Sequence, residues 1–196
     1  MSVEVTTHIS LLDRLSDESD PAAWREFHDR YAELLRGFAR RRYLQPADCD
    51  DIVQDVLLAL GKALPNFAYD PNKGKFRAYL KTIAIRAIYK KSSQNRGEAM
   101  LGNLEEATRT ACEDEEVDQA WESEWREYHV RQAMRVLSAE IRDLDRQAFQ
   151  MYGIDGRPIA EVSAALGMSH DAIYQAKSRI LKRLSAIIQR QVADEG

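Results

Sequence analysis

Cysteine is scarce in these 196 residues: Cys49 and Cys112 are the only two, and neither belongs to a CxxC pair. A disulfide framework is excluded, and a thiolate metal site is not expected. The four histidines, at 8, 28, 129 and 170, show no HxxxH or HExxH spacing. No phosphate-binding glycine loop and no nucleophile–base constellation occurs, so neither a cofactor nor catalysis is expected. No run of about 18 apolar residues is present to span a membrane. The start, "MSVEVTTHISLLDRL", has no basic region leading into an apolar core. Export is therefore not expected, and the expected location is the cytoplasm. Alternating β-branched runs are almost missing as well, which points to an all-α chain.

What is present is charge, and it is segregated. Residues 1–20 hold five acids and one base, residues 21–96 fifteen bases and eight acids, and residues 97–129 eleven acids and two bases. Residues 130–190 return to ten bases and six acids. Two basic blocks flanking an acidic one point to a polyanionic partner, although the net charge is −4.

Apolar spacing divides the basic blocks into helices. In "DPAAWREFHDRYAELLRGFARRRY", Asp20 is an N-cap, Pro21 opens the helix, and Trp24, Phe27, Tyr31, Leu34, Leu35 and Phe38 form one stripe. A second helix spans about 48–64, the turn "NFAYDPNKGK" follows, and a third helix spans about 75–92. The polar stretch from 97 to 114 reads as an acidic linker. Val117, Trp121, Trp125 and Tyr128 then open a long helix expected to pack into a second domain. The domains expected are an extension (1–19), a helical domain (20–96), the linker (97–114), a second helical domain (115–190) and a tail (191–196).

Three constellations stand out. In "RPIAEVSAALGMSHDAIYQAKSRILKRL", Gly167 is placed to turn the chain between two short helices, Ser169 to cap the second, and Ile173 to anchor it. Its outer face offers His170, Tyr174, Gln175, Lys177, Ser178, Lys182 and Arg183, types suited to base edges and phosphates of the major groove. A helical hairpin with a solvated basic face fits the same pattern. On the 48–64 helix, Asp51, Gln54 and Asp55, with Leu58 beside them, stand opposite the buried face and suit docking on a basic protein surface, or plain solvent. "GKFRAYLKTIAIRAIYKK" (74–91) holds six cations, three aromatics and no acid. Cations interleaved with rings suit single-stranded nucleic acid, although Phe76 and Tyr79 also fit a core.

Taken in order and spacing, "DIVQDVLLALGKALPNF", "GKFRAYLKTIA" and "YGIDGRPIAEVSAALGMSHDAIYQAKSRILKRL" resemble a bacterial RNA polymerase sigma factor of the sigma-70 superfamily, in the small extracytoplasmic-function (ECF) group. The resemblance covers about residues 20–96, as region 2, and 115–190, as region 4 with its helix-turn-helix. It implies that Asp51, Gln54, Asp55 and Leu58 dock on core RNA polymerase. It implies that Phe76, Arg77, Tyr79, Lys81, Arg86, Lys90 and Lys91 capture the melted minus-ten strand. It implies that Ser169, His170, Tyr174, Gln175, Lys177, Ser178, Arg179 and Lys182 serve the minus-thirty-five duplex. Many relatives also have an anti-sigma partner. This chain departs from many relatives at Tyr79, Arg86 and Lys90.

Eighteen linker residues span at most about 60 Å and about 23 Å as a relaxed coil, while elements about 17 pairs apart are separated by about 58 Å. The linker acids are expected either to mimic nucleic acid within polymerase or to shield the basic domains of the free protein. Two other readings remain open: a stand-alone helix-turn-helix regulator, and a polymerase-binding adaptor that never reads DNA. Stacking returns roughly 1–3 kcal/mol per base, too little for one or two rings to melt several pairs at about 1.4 kcal/mol per step. The protein is therefore expected to open promoters only together with polymerase; permanganate-reactive promoter thymines in the presence of the free protein alone would contradict this.

Overall fold

Apolar periodicity becomes helix wherever the chain is described. The computed structural model describes residues 8–16, 20–63, 76–95 and 104–194, and among these no strand is present. The chain divides into two units, one built on Met1–Tyr128 and the other on His129–Ala193.

In the first unit, α1 (His8–Leu15) lies within the stretch expected as a mere extension, yet Leu11, Leu12 and Leu15 are buried in the core. Arg14 bonds Asp20 at 2.8 Å and Glu26 at 2.7 Å. Asp20 caps α2 (Pro21–Arg41) as expected, accepting from the backbone N–H of Ala22 and Ala23 at 3.0 Å. The Arg14 guanidinium, aided by the Ala23 N–H, holds the Asp20 carboxyl below the usual range. The stripe on α2 buries Phe27, Tyr31, Leu34, Leu35 and Phe38. Against it pack α3 (Pro46–Ala63), through Ile52, Val53, Val56 and Leu60, and α4 (Phe76–Asn95), through Phe76, Leu80, Ala84 and Ile88. Phe76 meets Phe27 edge-on at 6.1 Å. The turn expected around 66–75 lies outside the described residues.

Residues 104–128 depart most from the sequence expectation. The second half of the expected linker is a helix, α5 (Leu104–Glu113), which buries Thr108 and Ala111. The next helix, α6 (Glu115–Ser138), contributes Val117, Trp121, Trp125 and Tyr128 to the core of the first unit, not the second. Trp121 stands edge-on to Phe38 at 5.0 Å, and the Tyr128 hydroxyl donates to the Arg30 carbonyl. Glu124, 4% exposed, accepts from Arg41 Nε at 2.8 Å. Loss of Arg41 would take a charge partner from the buried Glu124 carboxylate, which is costly. A Cβ on Gly37 would stand 2.0 Å from Glu124 Oε1, so the close approach of Glu124 to α2 depends on glycine at 37. The aromatic stripe at 117–128 stands where periodicity put it, but the core it enters is the first and not the expected second. The aromatic and cationic surface of α2 and α4 decides that.

In the second unit, the rest of α6 and α7 (Asp143–Ala148) lead into one turn of π-helix (Phe149–Ile154), then α8 (Ile159–Leu166) and α9 (His170–Asp194). Gly156, at φ 68°, ends the π turn. Gly167 at φ 64° joins α8 to α9 as expected, and Ser169 Oγ accepts from the Ala172 N–H at 3.2 Å. Ser163 donates its hydroxyl to the Met168 carbonyl at 2.7 Å, which ties α8 to that turn. Ile173 is fully buried between α8 and α9, with Val162 and Ala148.

Trp121→Ala is expected to lower the unfolding free energy by about 3–5 kcal/mol. The loss should speed amide hydrogen exchange in α2 and α4. Faster exchange confined to 129–193 would contradict the placement of Trp121 in the first core.

Candidate nucleic-acid interface

α4 buries one stripe of apolar side chains and carries five cations, Arg77, Lys81, Arg86, Lys90 and Lys91, with no acid of its own. Each of the five faces a carboxylate from another helix. At the start of α4, Arg77 pairs with Glu122 and Lys81 with Asp118, both from α6. The Arg77 guanidinium also lies 4.5 Å from the ring centre of Trp125. In the middle, Arg86 lies 3.7 Å from Glu105 of α5. Toward the end, Lys90 lies 3.6 Å from Asp55, and Lys91 lies 2.6 Å from Asp51 and 3.1 Å from Asp48, all on α3. The Asp51 carboxylate, then that of Asp48, raises the Lys91 ammonium above its ordinary value.

The two faces that the sequence presents separately therefore adjoin. Asp51 and Gln54 are exposed and Asp55 half-exposed, and the α3 acids lie across from the last cations of α4. A groove of about 480 Å³ lies alongside, lined by Leu58, Tyr79, Ile83, Arg86, Lys90 and Leu104 among others. Leu58 is 63% exposed at its edge. Tyr79 is half-buried beside Phe76, with ring centres 6.3 Å apart, and burial pushes its phenol up. Phe76 itself is buried in the core and offers no stacking face. The arrangement combines a ring edge, an apolar floor and two cations, the components of a site for an unstacked base and its phosphate. Both cations already face a carboxylate, Arg86 that of Glu105 and Lys90 that of Asp55. Glu105 is one of the linker acids expected to shield a basic domain, whereas Asp118 and Glu122 escaped the sequence reading as partners of α4; the opposite charge of the two blocks was the available signal.

The second unit presents α9 differently. His170, Tyr174, Gln175, Ser178 and Lys182 are exposed, while Ser169 is used as a cap. Tyr152, from the π turn, meets Tyr174 edge-on at 5.5 Å and lies 4.8 Å beneath the Lys177 ammonium. A hydrogen bond with Tyr152 raises the Tyr174 phenol. Arg179 reaches buried Asp145 at 3.4 Å, and Asp145 also accepts from Arg142 at 3.0 Å. Tyr152 and Asp145 were not singled out by sequence. Asp145 is signalled only by an Arg three residues earlier, and Tyr152 only by the glycine next to it.

Among the described residues, no group of three or more His, Cys, Asp or Glu is placed to hold a metal ion, and no helix is long and apolar enough to cross a membrane.

Residues 27–97 match the family description sigma-70 region 2. No curated protein matches the chain. Among solved structures, the chain is similar to one in the structure of CnrH in complex with the cytosolic domain of CnrY. The identity is 22%, the match covers 93% of this chain and 97% of that one, and the TM-score is 0.37.

Asp145→Ala is expected to cost about 1.5–3 kcal/mol of stability in the second unit, the range for lost hydrogen bonds to charged groups. Denaturant unfolding read from α9 would measure it. A loss no larger in the wild type than in an Arg142→Ala, Arg179→Ala background would mean that these contacts are idle.

Proposed function

We infer from the match of residues 27–97 to sigma-70 region 2 that this chain is an ECF-type sigma factor of the sigma-70 family, which binds core RNA polymerase and directs promoter-specific transcription initiation. One observation carries the finer reading: the exposed edge of α3 and the aromatic-cationic side of α4 meet around one groove inside the matched residues. Gln54 and Leu58, with Asp51 and Asp55 beside them, form the polymerase contact. Tyr79, Arg86 and Lys90 take the unpaired minus-ten strand, a ring to stack a base and cations for its phosphates. Arg77 and Lys81, paired to α6, hold that helix in place, and Phe76 supports Tyr79 from the core.

The helix-turn-helix of α8 and α9 reads the minus-thirty-five duplex. His170, Tyr174 and Gln175 near the start of α9 approach base edges, and Lys177, Ser178, Arg179 and Lys182 approach phosphates. Arg179 divides its charge between Asp145 and the duplex, so its share of phosphate binding is smaller than that of Lys182. The expected setting is the cytoplasm, where polymerase and promoter are found.

Runoff transcription with core polymerase tests the reading, using DNA upstream of the protein's own gene and a shuffled control. Gln54→Ala, Leu58→Ala is the informative variant, because replacing Asp51 or Asp55 would also release Lys91 or Lys90. A specific transcript reduced about tenfold in the variant is expected, the equivalent of about 1.4 kcal/mol. No transcript together with tight duplex binding by the free protein would instead make it a stand-alone regulator. A transcript indifferent to Lys177→Glu, Lys182→Glu would remove the minus-thirty-five reading.

A further inference from the structure

The acids facing α4 are not held equally. Those of α6 belong to a stretch that buries Val117, Trp121, Trp125 and Tyr128, and at about 25 cal/mol per Å² of apolar surface no competitor for a surface charge removes four such side chains from the core. α5 buries only Thr108 and Ala111, with Cys112 partly covered. The pair of Glu105 with Arg86 at 3.7 Å joins side chains 89% and 52% exposed. Such pairs contribute about 0–1 kcal/mol. The two helices are also separable. Asp114 between them is not helical, and its side chain accepts from the Glu116 N–H at 2.8 Å, so α6 has its own N-cap and does not need α5 to begin. Leu104, the first residue of α5, lines the same groove as Tyr79, Arg86 and Lys90. Three glutamates against one arginine make α5 an anionic segment lying on a cationic helix.

We propose that α5 is a removable acidic strap that competes with single-stranded nucleic acid for α4, so that the free chain keeps its own strand-binding groove closed. The proposal rests on the strand-capturing role given to α4 above. A strand takes the groove only from the fraction of molecules with α5 lifted, and the apparent affinity falls by that fraction. A strand lying in the groove brings several linked phosphates and releases counterions, which an exposed carboxylate such as Glu105 cannot match. The fixed acids Asp118 and Glu122 do not take part, because their helix stays in the core.

The structure offers a lock. Cys112 Sγ on α5 lies 4.0 Å from Thr82 Oγ1 on α4, and Thr82 is exposed. In the full-length Thr82→Cys variant, oxidation would join the new thiol to Cys112 and pin α5 down, while Cys49 is buried. Binding of a fluorescein-labelled single-stranded DNA of mixed sequence is measured at low salt before and after reduction. The oxidised form should bind about tenfold or more weakly, with full recovery on reduction. Ala111→Glu, which unseats α5, should bind more tightly than wild type. Its thermal unfolding is followed in parallel, so that lost structure is not mistaken for a lifted strap. Equal binding by oxidised and reduced forms overturns the strap and leaves the sigma-factor reading standing. No binding by either form also overturns it, since nothing would then compete with α5, and runoff transcription judges the sigma-factor reading separately.

Discussion

A helix with five cations and no carboxylate cannot lie against neutral protein without leaving its charges to solvent or to a partner, and the first unit is arranged around that constraint. α4 receives acids from three directions: Asp48, Asp51 and Asp55 from α3, Glu105 from α5, and Asp118 and Glu122 from α6. The exposed pairs contribute little individually. Together they specify which face of each neighbouring helix turns toward α4.

Packing converts that electrostatic preference into a fixed structure at one end only. Trp121 beside Phe38, Tyr128 bonded to the Arg30 carbonyl, and Glu124 passing close to Gly37 to reach Arg41 hold the first half of α6 against α2. Nothing comparable holds α5. The result is a gradient along α4, from cations paired to a helix fixed in the core at Arg77 and Lys81 to cations beside the groove at Arg86 and Lys90. The structural pairs and the proposed recognition surface use the same residue types, and burial of the partner helix separates the two.

The second unit follows the opposite logic. Its local signals were legible residue by residue: the left-handed Gly167, the cap at Ser169 and the buried anchor Ile173 each occupy the place their chemistry requires. A turn is decided within a few residues, so a short window of sequence suffices to read it. What supports the outer face of α9 was not legible in the same way. Tyr152 lies 22 positions before Tyr174, and Asp145 lies 34 before Arg179; only the folding of the π turn and α7 back onto α9 brings them together.

The amino-acid sequence by itself determined the all-α character, the helix stripes, the caps at Asp20 and Ser169, and the two basic blocks around an acidic one. These depend on backbone geometry and spacing within a turn or two. Tertiary structure alone decided that α1 belongs to the core, that residues 104–128 join the first unit, and that the α3 and α4 faces share one groove. The stripe at Val117, Trp121, Trp125 and Tyr128 is equally apolar whichever core receives it. Its destination is set by shape and charge on α2 and α4, remote in the chain, and those come into being only when the helices pack.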